Sequence, residues 1–323
     1  MDWKIVMQID QGCISHIGRR HNQQDAYGFS NFEDSLFAIH GGFMAVICDG
    51  MGGLEKGDEA AHLAVKTVLN SYMAKLPEFS ISDALDLAVT LANEEVVKLG
   101  MQTGNSSNVG TTLAIAVIYK DELFWRSVGD SRIYLQRDNK LNQLSVDHTY
   151  TQELLQNLKA NGITLDEALN HRDGAALVSY LGVGEKIKVD KNGLPMKLRV
   201  GDVLLVCSDG LYNSLNEAEF IEALQIPNAM KAAKELQHKT LDKQFLNQDN
   251  LTGVVLRLQK EKYKKRFLGL NLKIVMISLA ILSLILFGYI QYKGSFFSKP
   301  KKEGSQIQIL QKVIEDKPMN VTD

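Results

Sequence analysis

The apolar positions of the first 260 residues alternate between strand-like and helix-like spacing. LFAIHGGFMAVIC contains two apolar runs around Gly-Gly, which predicts two strands joined by a tight turn. GDEAAHLAVKTVLNSYMAKL and SISDALDLAVTLANEEVVKLG then repeat apolar residues at helical spacing. A short Pro-containing loop separates these two segments, so we expect an antiparallel helix pair.

A second block of strands follows this helix pair. GTTLAIAVIY, LFWRSV and SRIYLQ are separated by short polar turns, which predicts an antiparallel meander. The first run is almost entirely apolar, so we expect it at the centre of a sheet with both faces covered. MKLRVGDVLLVC predicts a further strand, residues 216–225 and 228–239 a second helix pair, and LTGVVLRLQ a last strand.

The order of these elements predicts an α+β fold with two sheets and the helices outside them. One mixed polar segment, residues 147–184, carries two short helical patterns between the strand blocks. It is longer than an ordinary connection, so we expect a lid or a small subdomain there.

The chain beyond residue 258 differs in composition from the part before it. Ile274–Ile290 contains no charged residue, which predicts a transmembrane helix over 274–292, since such a helix needs about 20 apolar residues. A basic juxtamembrane linker, 259–273, precedes it and is richer in Lys and Arg than the flank after it. The positive-inside bias therefore predicts a cytoplasmic position for residues 1–258 and a short extracytoplasmic tail over 293–323.

Charge and cysteine content exclude several classes of protein. The formal net charge of −2 gives no indication of a nucleic-acid partner. The three cysteines are an odd number without C-x-x-C spacing, which argues against a disulfide framework or a zinc ribbon. The bulk composition is therefore that of an ordinary globular domain in a reducing compartment.

Short acidic motifs follow or precede several of the predicted strands. An Asp-Gly after a strand is commonly a hairpin turn, but CDGMGG and CSDGL each lead into a helix, which fits a hairpin poorly. If the carboxylates converge, their repulsion requires a cation, and oxygen ligands without His or Cys favour Mg²⁺ or Mn²⁺. The motifs and their acids are CDGMGG with Asp49, VGDSR with Asp130, CSDGL with Asp209, QDNLTG with Asp249, and RRHNQQDA with Asp25.

In this order, DGMGG, GTT, GDSR, DHT, SDGL and DNLT resemble the metal-dependent protein serine/threonine phosphatases of type 2C over residues 10–258. The chain is similar to a bacterial-type catalytic domain with a C-terminal membrane anchor. The resemblance implies a central β-sandwich of two antiparallel sheets flanked by helix pairs. It also implies two Mn²⁺ or Mg²⁺ ions that activate a bridging water to hydrolyse phosphoserine and phosphothreonine on proteins.

The resemblance assigns roles to individual residues. Asp49 is expected to bridge the two metals and Gly50 to bind one through its carbonyl, while Asp209 and Asp249 complete the first metal's ligands. Asp130 is expected to bind a third, weaker metal, with a structural turn carboxylate as the alternative. Asp25 and Gln24 are expected to contact the metals through metal-bound waters. Arg20 is expected to bind the phosphate, with Arg19 as the alternative.

The chain departs from the family pattern at several positions. Gln23 replaces the usual Asn, Met51 stands where some members have a His proposed to protonate the leaving group, and Tyr180 replaces an Arg. We expect His148 to be structural, and the sequence assigns no histidine as the leaving-group acid; metal-bound water is the alternative.

Three hypotheses remain from the sequence. The first is a membrane-tethered phosphatase that binds lipid through its C-terminal helix and opposes a serine/threonine kinase. The second is a catalytically inactive relative that serves as a tethered binding module. The third is a phosphatase dedicated to one regulatory protein, with residues 147–184 governing the choice of substrate.

Overall fold

The computed structural model describes residues 7–30, 35–51, 56–102, 109–184, 186–260 and 276–290, and within them the strands form two antiparallel sheets. The chain divides into two units, residues 1–261 and 262–323. One sheet has the order β1 (Met7–His16), β11 (Leu251–Lys260), β10 (Val203–Cys207), β6 (Arg132–Arg137) and β7 (Lys140–Gln143).

The other sheet contains most of the strands from the first half of the chain. Its order is β2 (Asp25–Phe29), β3 (Phe43–Asp49), β4 (Leu113–Tyr119), β5 (Glu122–Val128) and β8 (Asp190–Lys191), with β9 (Met196–Lys197) also paired to β5. The nearly all-apolar β4 lies between β3 and β5 and is buried along its length, as its composition predicts.

The helices follow the predicted alternation with the strand blocks. The first group is α1 (Ser35–Gly41), α2 (Gly57–Met73) and α3 (Ile81–Gln102). Three short helices follow β7 in the chain: α4 (Tyr150–Gln156), α5 (Leu158–Asn161) and α6 (Leu165–Leu169). The last group, between β10 and β11, is α7 (Asp209–Tyr212), α8 (Glu217–Leu224) and α9 (Ala229–Asp242). Asn216 and Asn228 cap α8 and α9 through their side chains, which explains where these helices begin.

Alternate residues of each central strand face two different cores. In β3, Ala45 and Ile47 share a cluster with Leu204 of β10, which packs one sheet on the other. The residues between them, such as Val46, instead pack against α2 and α3. A similar cluster joins the outer face of the first sheet to α8 and α9. Because both strand faces are covered, these strands are nearly continuously apolar, and the architecture is the predicted sandwich flanked by helix pairs.

The prediction of two strands in LFAIHGGFMAVIC is wrong for its first half, which forms α1. Phe37 is buried and packs edge-on against Tyr72, whereas Leu36 and Ile39 are exposed, so the apolar residues here do not serve a strand. The Tyr72 hydroxyl donates to the Gly41 carbonyl at 2.7 Å and fixes the end of the helix. Gly42 then turns the chain with a φ of +68°, a conformation that favours glycine.

The predicted three-strand meander is also wrong, because its strands belong to different sheets. β4 and β5 form a hairpin, but β6 pairs with β10 and β7 of the other sheet. The chain changes sheet at Gly129, whose φ is +91°. A left-handed residue at this point redirects the chain, which places Asp130 at the crossing between the sheets.

The unit that spans residues 262–323 contains one described helix, residues 276–290. Its sequence is MISLAILSLILFGYI, it carries no charged residue, and its side chains are exposed. Within the described residues, no helix reaches the length and hydrophobicity that a membrane crossing requires. The rest of the predicted 274–292 span, most of the 259–273 linker and the 293–323 tail lie outside the described residues.

Candidate metal centre

Aspartates from five separate motifs lie at the same end of the sandwich. Asp25 begins β2 and Asp49 ends β3, and the two are directly opposite in the antiparallel pair. Cys207 at the end of β10 pairs with Gly253 near the start of β11, so Asp209 and Asp249 share one sheet edge. Cys207 also pairs with Arg132, which brings Asp130 to that edge. The fold thus joins acids that are up to 224 positions apart in the sequence.

These acids lie close enough to raise one another's pKa values. Burial, followed by repulsion from Asp25, Asp209, Asp130 and Asp249, raises the pKa of Asp49 well above its ordinary value. Burial, together with repulsion from Asp249, also raises the pKa of Asp25 and of Asp209 to about 6. Burial and the charge of Asp209 raise the pKa of Asp130 to about 7. These buried carboxyls therefore resist ionisation in one another's presence.

The GTT motif holds the backbone of Asp49 in place. The Asp49 amide donates to Thr112 Oγ1 at 2.9 Å, and the Asp49 carbonyl accepts from both the Thr112 amide and Thr111 Oγ1, each at 2.9 Å. Thr112 Oγ1 also lies 2.6 Å from Ser131 Oγ of the GDSR motif. The threonines and the serine therefore connect two of the acidic motifs.

Two glycines allow the backbone to approach closely around the acids. A Cβ on Gly50 would lie 2.2 Å from the Gly57 carbonyl oxygen, and a Cβ on Gly210 would lie 2.0 Å from the Asn250 carbonyl oxygen. Neither distance is possible for a real side chain, so only glycine fits at the turn after Asp49 and after Asp209.

Asn250 is a functional candidate that the sequence reasoning missed. Its side-chain amide donates to the Ile17 carbonyl at 2.8 Å and to the Asn22 carbonyl at 3.0 Å, and its Oδ1 accepts from the Gln24 amide at 2.8 Å. These bonds fasten the loop that carries Arg20 and Gln24 to the DNLT motif. The motif itself indicated the position, but only the tertiary contacts reveal its positioning role.

Arg20 lies at the edge of the centre. Its guanidinium Nη2 is 2.6 Å from Asp249 Oδ2, and its side chain is 50% exposed. The Arg19 amide donates to the Gln248 carbonyl at 2.8 Å, which anchors the adjacent backbone. The predicted phosphate-binding role of Arg20, with Arg19 as the rival, stays a prediction.

Gln24 reaches the centre mainly through its backbone. Its carbonyl accepts from the Gly50 amide at 3.0 Å. Its side-chain Nε2 lies against Gly57, where an added Cβ would be 2.6 Å away. Its predicted action through water also stays a prediction.

Asp130 sits beside an aromatic and a cationic side chain. The Tyr212 hydroxyl donates to Asp130 Oδ2 at 3.3 Å, and the Arg132 guanidinium stacks 3.6 Å from the centre of the Tyr212 ring. Arg132 also forms an ion pair with Asp147 at 2.7 Å. Sequence reasoning missed Tyr212, which is within the SDGLY stretch but gave no sign of facing Asp130.

His148 holds the backbone of the sheet crossing. Its Nδ1 accepts from the Gly129 amide at 3.1 Å, and its own amide donates to the Gly129 carbonyl at 2.9 Å. Burial lowers the pKa of His148, so the ring is neutral around pH 7. This arrangement agrees with the predicted structural role.

Two of the residues that depart from the family pattern, Met51 and Tyr180, lie close to Gly110. A Cβ on Gly110 would be 2.6 Å from the Tyr180 ring and 2.9 Å from Met51 Sδ. The Met51 amide donates to the Gly110 carbonyl at 3.1 Å.

The side chains present fit a divalent cation with oxygen ligands. Asp25 Oδ1 is buried and has no hydrogen-bond partner, whereas Asp25 Oδ2 accepts from Ser208 Oγ at 2.7 Å. Buried carboxylates of this kind are stabilised by a hard cation such as Mg²⁺ or Mn²⁺. In the part of the chain that the structure describes, however, no three Asp, Glu, His or Cys side chains form a ready-made ligand cluster. The individual ligand assignments therefore stay predictions.

Comparison with known proteins reveals clear relatives. The sequence profile of the family described as Protein phosphatase 2C matches residues 14–245. The serine/threonine phosphatase stp of Listeria monocytogenes serotype 4b is 30% identical over 259 residues, which cover 79% of this chain and 95% of that protein. The serine/threonine protein phosphatase PstP of Mycobacterium tuberculosis H37Rv is 31% identical over 226 residues, which cover 70% of this chain and 42% of that protein.

Solved structures share the fold. The crystal structure of PstP/Ppp from M. tuberculosis superposes with a TM-score of 0.64 at 27% identity and covers 79% of this chain and 99% of that chain. The catalytic domain of PstP in complex with 2 manganese ions gives a TM-score of 0.63 at 26% identity, covering 79% of this chain and 100% of that chain.

Proposed function

The chain belongs to the protein phosphatase 2C family of metal-dependent serine/threonine phosphatases, and on that premise we propose that its acidic centre holds two Mn²⁺ or Mg²⁺ ions for the hydrolysis of phosphoserine and phosphothreonine. The observation that supports this proposal most strongly is the convergence of Asp25, Asp49, Asp209 and Asp249 at one end of the sandwich. A related catalytic domain binds 2 manganese ions.

In this proposal Asp49 would be a ligand of both ions, Asp209 and Asp249 would be ligands of one, and the Gly50 carbonyl would contribute to the pair. Asp25 would act through water, and Asp130 would serve a third, weaker site. When bound, the ions supply a water of lowered pKa and positive charge that balances the phosphate oxygens.

The other residues orient the reacting groups. Thr111 and Thr112 hold the Asp49 backbone, and Asn250 holds the loop that carries Arg20. The Arg20 guanidinium, which is half exposed and 2.6 Å from Asp249, would donate to phosphate oxygens as charge develops on them. The ion pair with Asp249 orients this side chain towards the centre.

A direct test uses the full chain with p-nitrophenyl phosphate and then with a phosphothreonine peptide. We expect hydrolysis of both with Mn²⁺ and none after chelation with EDTA. Calorimetric titration with Mn²⁺ separates this proposal from an inactive binding module, because an inactive relative has no need to retain these acids. Activity that persists undiminished in EDTA would contradict a metal-dependent centre.

We also propose that the enzyme is tethered to a membrane through residues 274–292, with the catalytic unit in the cytoplasm opposing a serine/threonine kinase. The supporting observation is the helix over 276–290, which is uncharged and exposes large apolar side chains such as Leu284 and Phe287. The Lys- and Arg-rich segment before it supports the orientation.

Fractionation tests the tether. The full chain is expected to sediment with membranes, whereas a chain lacking residues 262–323 is expected to remain in the supernatant with its phosphatase activity. A truncated protein that still sediments with membranes would contradict the assignment.

A further inference from the structure

A hollow of about 670 Å³ opens directly beside the acidic centre. Asp209 and Asp249 form the side of the hollow nearest the centre, and the loop between α9 and β11 forms the other side. The hollow is therefore continuous with the place where the proposed function puts the phosphate.

Three of the polar side chains that line this hollow, Asn213, Ser214 and Gln248, are engaged in hydrogen bonds. Ser214 Oγ donates to the Gly210 carbonyl at 2.8 Å, and Gln248 Nε2 donates to the same oxygen at 3.0 Å. Asn213 Nδ2 donates to Asp209 Oδ2 at 3.3 Å. Phe245 and Leu246 are the apolar side chains on the loop side of the hollow, where the exposed Gln244 and Asn247 also lie.

Phe245 and Leu246 are held in place although they are exposed. Leu246 is 92% exposed and Phe245 is 46% exposed. The Gln248 amide donates to the Phe245 carbonyl at 3.3 Å, which closes a turn with Leu246 at its tip, and Gln248 is buried. The Gln248 carbonyl accepts from Arg19, which ties the turn to the loop that carries Arg20.

Exposed leucines are common on protein surfaces, so exposure alone carries no meaning. The position of this pair is what matters, because an extended peptide advances about 3.3 Å per residue. When the phosphate of a substrate lies at the acidic centre, the residues next to the phosphorylated one fall within the hollow.

We propose that Phe245 and Leu246 form a substrate subsite that binds an apolar side chain next to the phosphorylated residue. This inference rests on the proposed phosphatase function and adds a sequence preference to it. Phe245 and Leu246 offer that side chain an apolar wall. Burial of apolar surface against this wall is favourable, so an apolar side chain gains more from the contact than a polar one.

The test compares two phosphothreonine peptides that differ only at the two positions that flank the phosphothreonine, one on each side. Both positions are leucine in the first peptide and serine in the second. The full chain is assayed as wild type, as Leu246→Ser and as Phe245→Ser. Leu194→Ser is the matched control, since Leu194 is 82% exposed in the turn between β8 and β9 and does not line the hollow.

We expect the wild type to have a higher kcat/KM for the leucine peptide than for the serine peptide. In Leu246→Ser this ratio should fall about tenfold because KM for the leucine peptide rises, and in Leu194→Ser the ratio should not change. A wild type that hydrolyses both peptides equally well, or a Leu246→Ser enzyme that keeps the full preference, would overturn the subsite while leaving the phosphatase function intact. A wild type that hydrolyses neither peptide nor p-nitrophenyl phosphate contradicts the proposed function and the subsite with it.

Discussion

The acidic centre and the site around Arg126 bury charge in opposite ways. Arg126 has no exposed side-chain surface, but its Nε donates to Asp86 Oδ1 at 2.5 Å, and its other nitrogens donate to Ser82 and to the Trp125 carbonyl. Lys191 adds a second cation 2.9 Å from Asp86. In the acidic centre, by contrast, carboxyls of one sign surround Asp49.

The pKa shifts of the two regions run in opposite directions. Burial raises the pKa of Asp86, but hydrogen bonds from Arg126 and Lys191 outweigh it and lower the pKa overall. In the acidic centre, burial and mutual repulsion act together and raise the pKa of Asp49, Asp130 and Asp209. The Arg126 site therefore balances its own charge, whereas the carboxyls of the acidic centre favour a bound proton or a cation.

The largest expected effect is on catalysis. Asp49→Asn or Asp209→Asn is expected to lower Mn²⁺-dependent hydrolysis of p-nitrophenyl phosphate about 1,000-fold, which corresponds to ~4.1 kcal/mol in the barrier. The amide removes a negative ligand but keeps the shape of the side chain. Asp138→Asn is a matched control, because Asp138 lies in the exposed turn between β6 and β7. Near-normal rates in either variant would break the assignment of the centre.

The second effect is on stability and belongs to the Arg126 site. Asp86→Ala is expected to lower the free energy of unfolding in urea by about 3 kcal/mol, since it leaves the buried Arg126 guanidinium without its carboxylate. Asp49→Asn should instead leave the metal-free protein at least as stable as the wild type, because it removes repulsion. If Asp49→Asn destabilised the metal-free protein as much as Asp86→Ala, the contrast between the two regions would fail.

The third effect concerns pH and metal together. The pKa of Asp25 and Asp209, about 6, and that of Asp130, about 7, lie above the ordinary 3.8. Their contribution to the stability of the metal-free fold is therefore present below about pH 4 and is lost as the pH rises through 6 to 7.

Mn²⁺ at 100 times the Kd that it has at pH 7.5 is expected to raise the free energy of unfolding by about 2.7 kcal/mol at that pH. At pH 5.5 we expect a smaller increase from the same Mn²⁺ concentration, because protons compete for the carboxylates. Thermal unfolding at both pH values with Mn²⁺ or EDTA measures this difference. Equal stabilisation at the two pH values would show that these carboxyls do not hold the metal.

The smallest expected effect comes from the neutral residue that links the centre to its loop. Asn250→Ala removes the bonds to Ile17, Asn22 and Gln24 and is expected to lower kcat/KM about tenfold, which corresponds to ~1.4 kcal/mol. Asn250→Asp, which keeps the acceptor to the Gln24 amide, should retain more activity. The positioning role would be contradicted if both variants matched the wild type in kcat and in KM.

Regular periodicity is what made most of the fold predictable. The helix pairs were predictable because a long amphipathic helix requires apolar residues at a regular spacing. The strand β4 was predictable because a strand with both faces buried is apolar along nearly its whole length. α1 escaped prediction because its seven residues are too few to establish a period, and its conformation depends on the packing of Phe37 against Tyr72. The split of the predicted meander depended on the turn at Gly129, where local sequence is compatible with either sheet.

The acids of the centre were predictable because each carries a short motif, but their environment was not. A motif identifies Asp49 and Asp209 as candidates; only the antiparallel registers of β2 with β3 and β10 with β11 bring them to one edge. Asn250 and Tyr212 have no distinctive local pattern for their roles, since both act on residues far away in the sequence.

The sequence by itself determined the alternation of strand and helix blocks, the residue types of an oxygen-ligand centre and the uncharged segment near the C-terminus. Tertiary structure alone decided which sheet each strand joins, which carboxyls share one buried volume and which aromatic and aliphatic side chains border it. The reason is physical: periodicity and motif chemistry are local properties, whereas repulsion between Asp25, Asp49 and Asp209 exists only once the two sheets have packed.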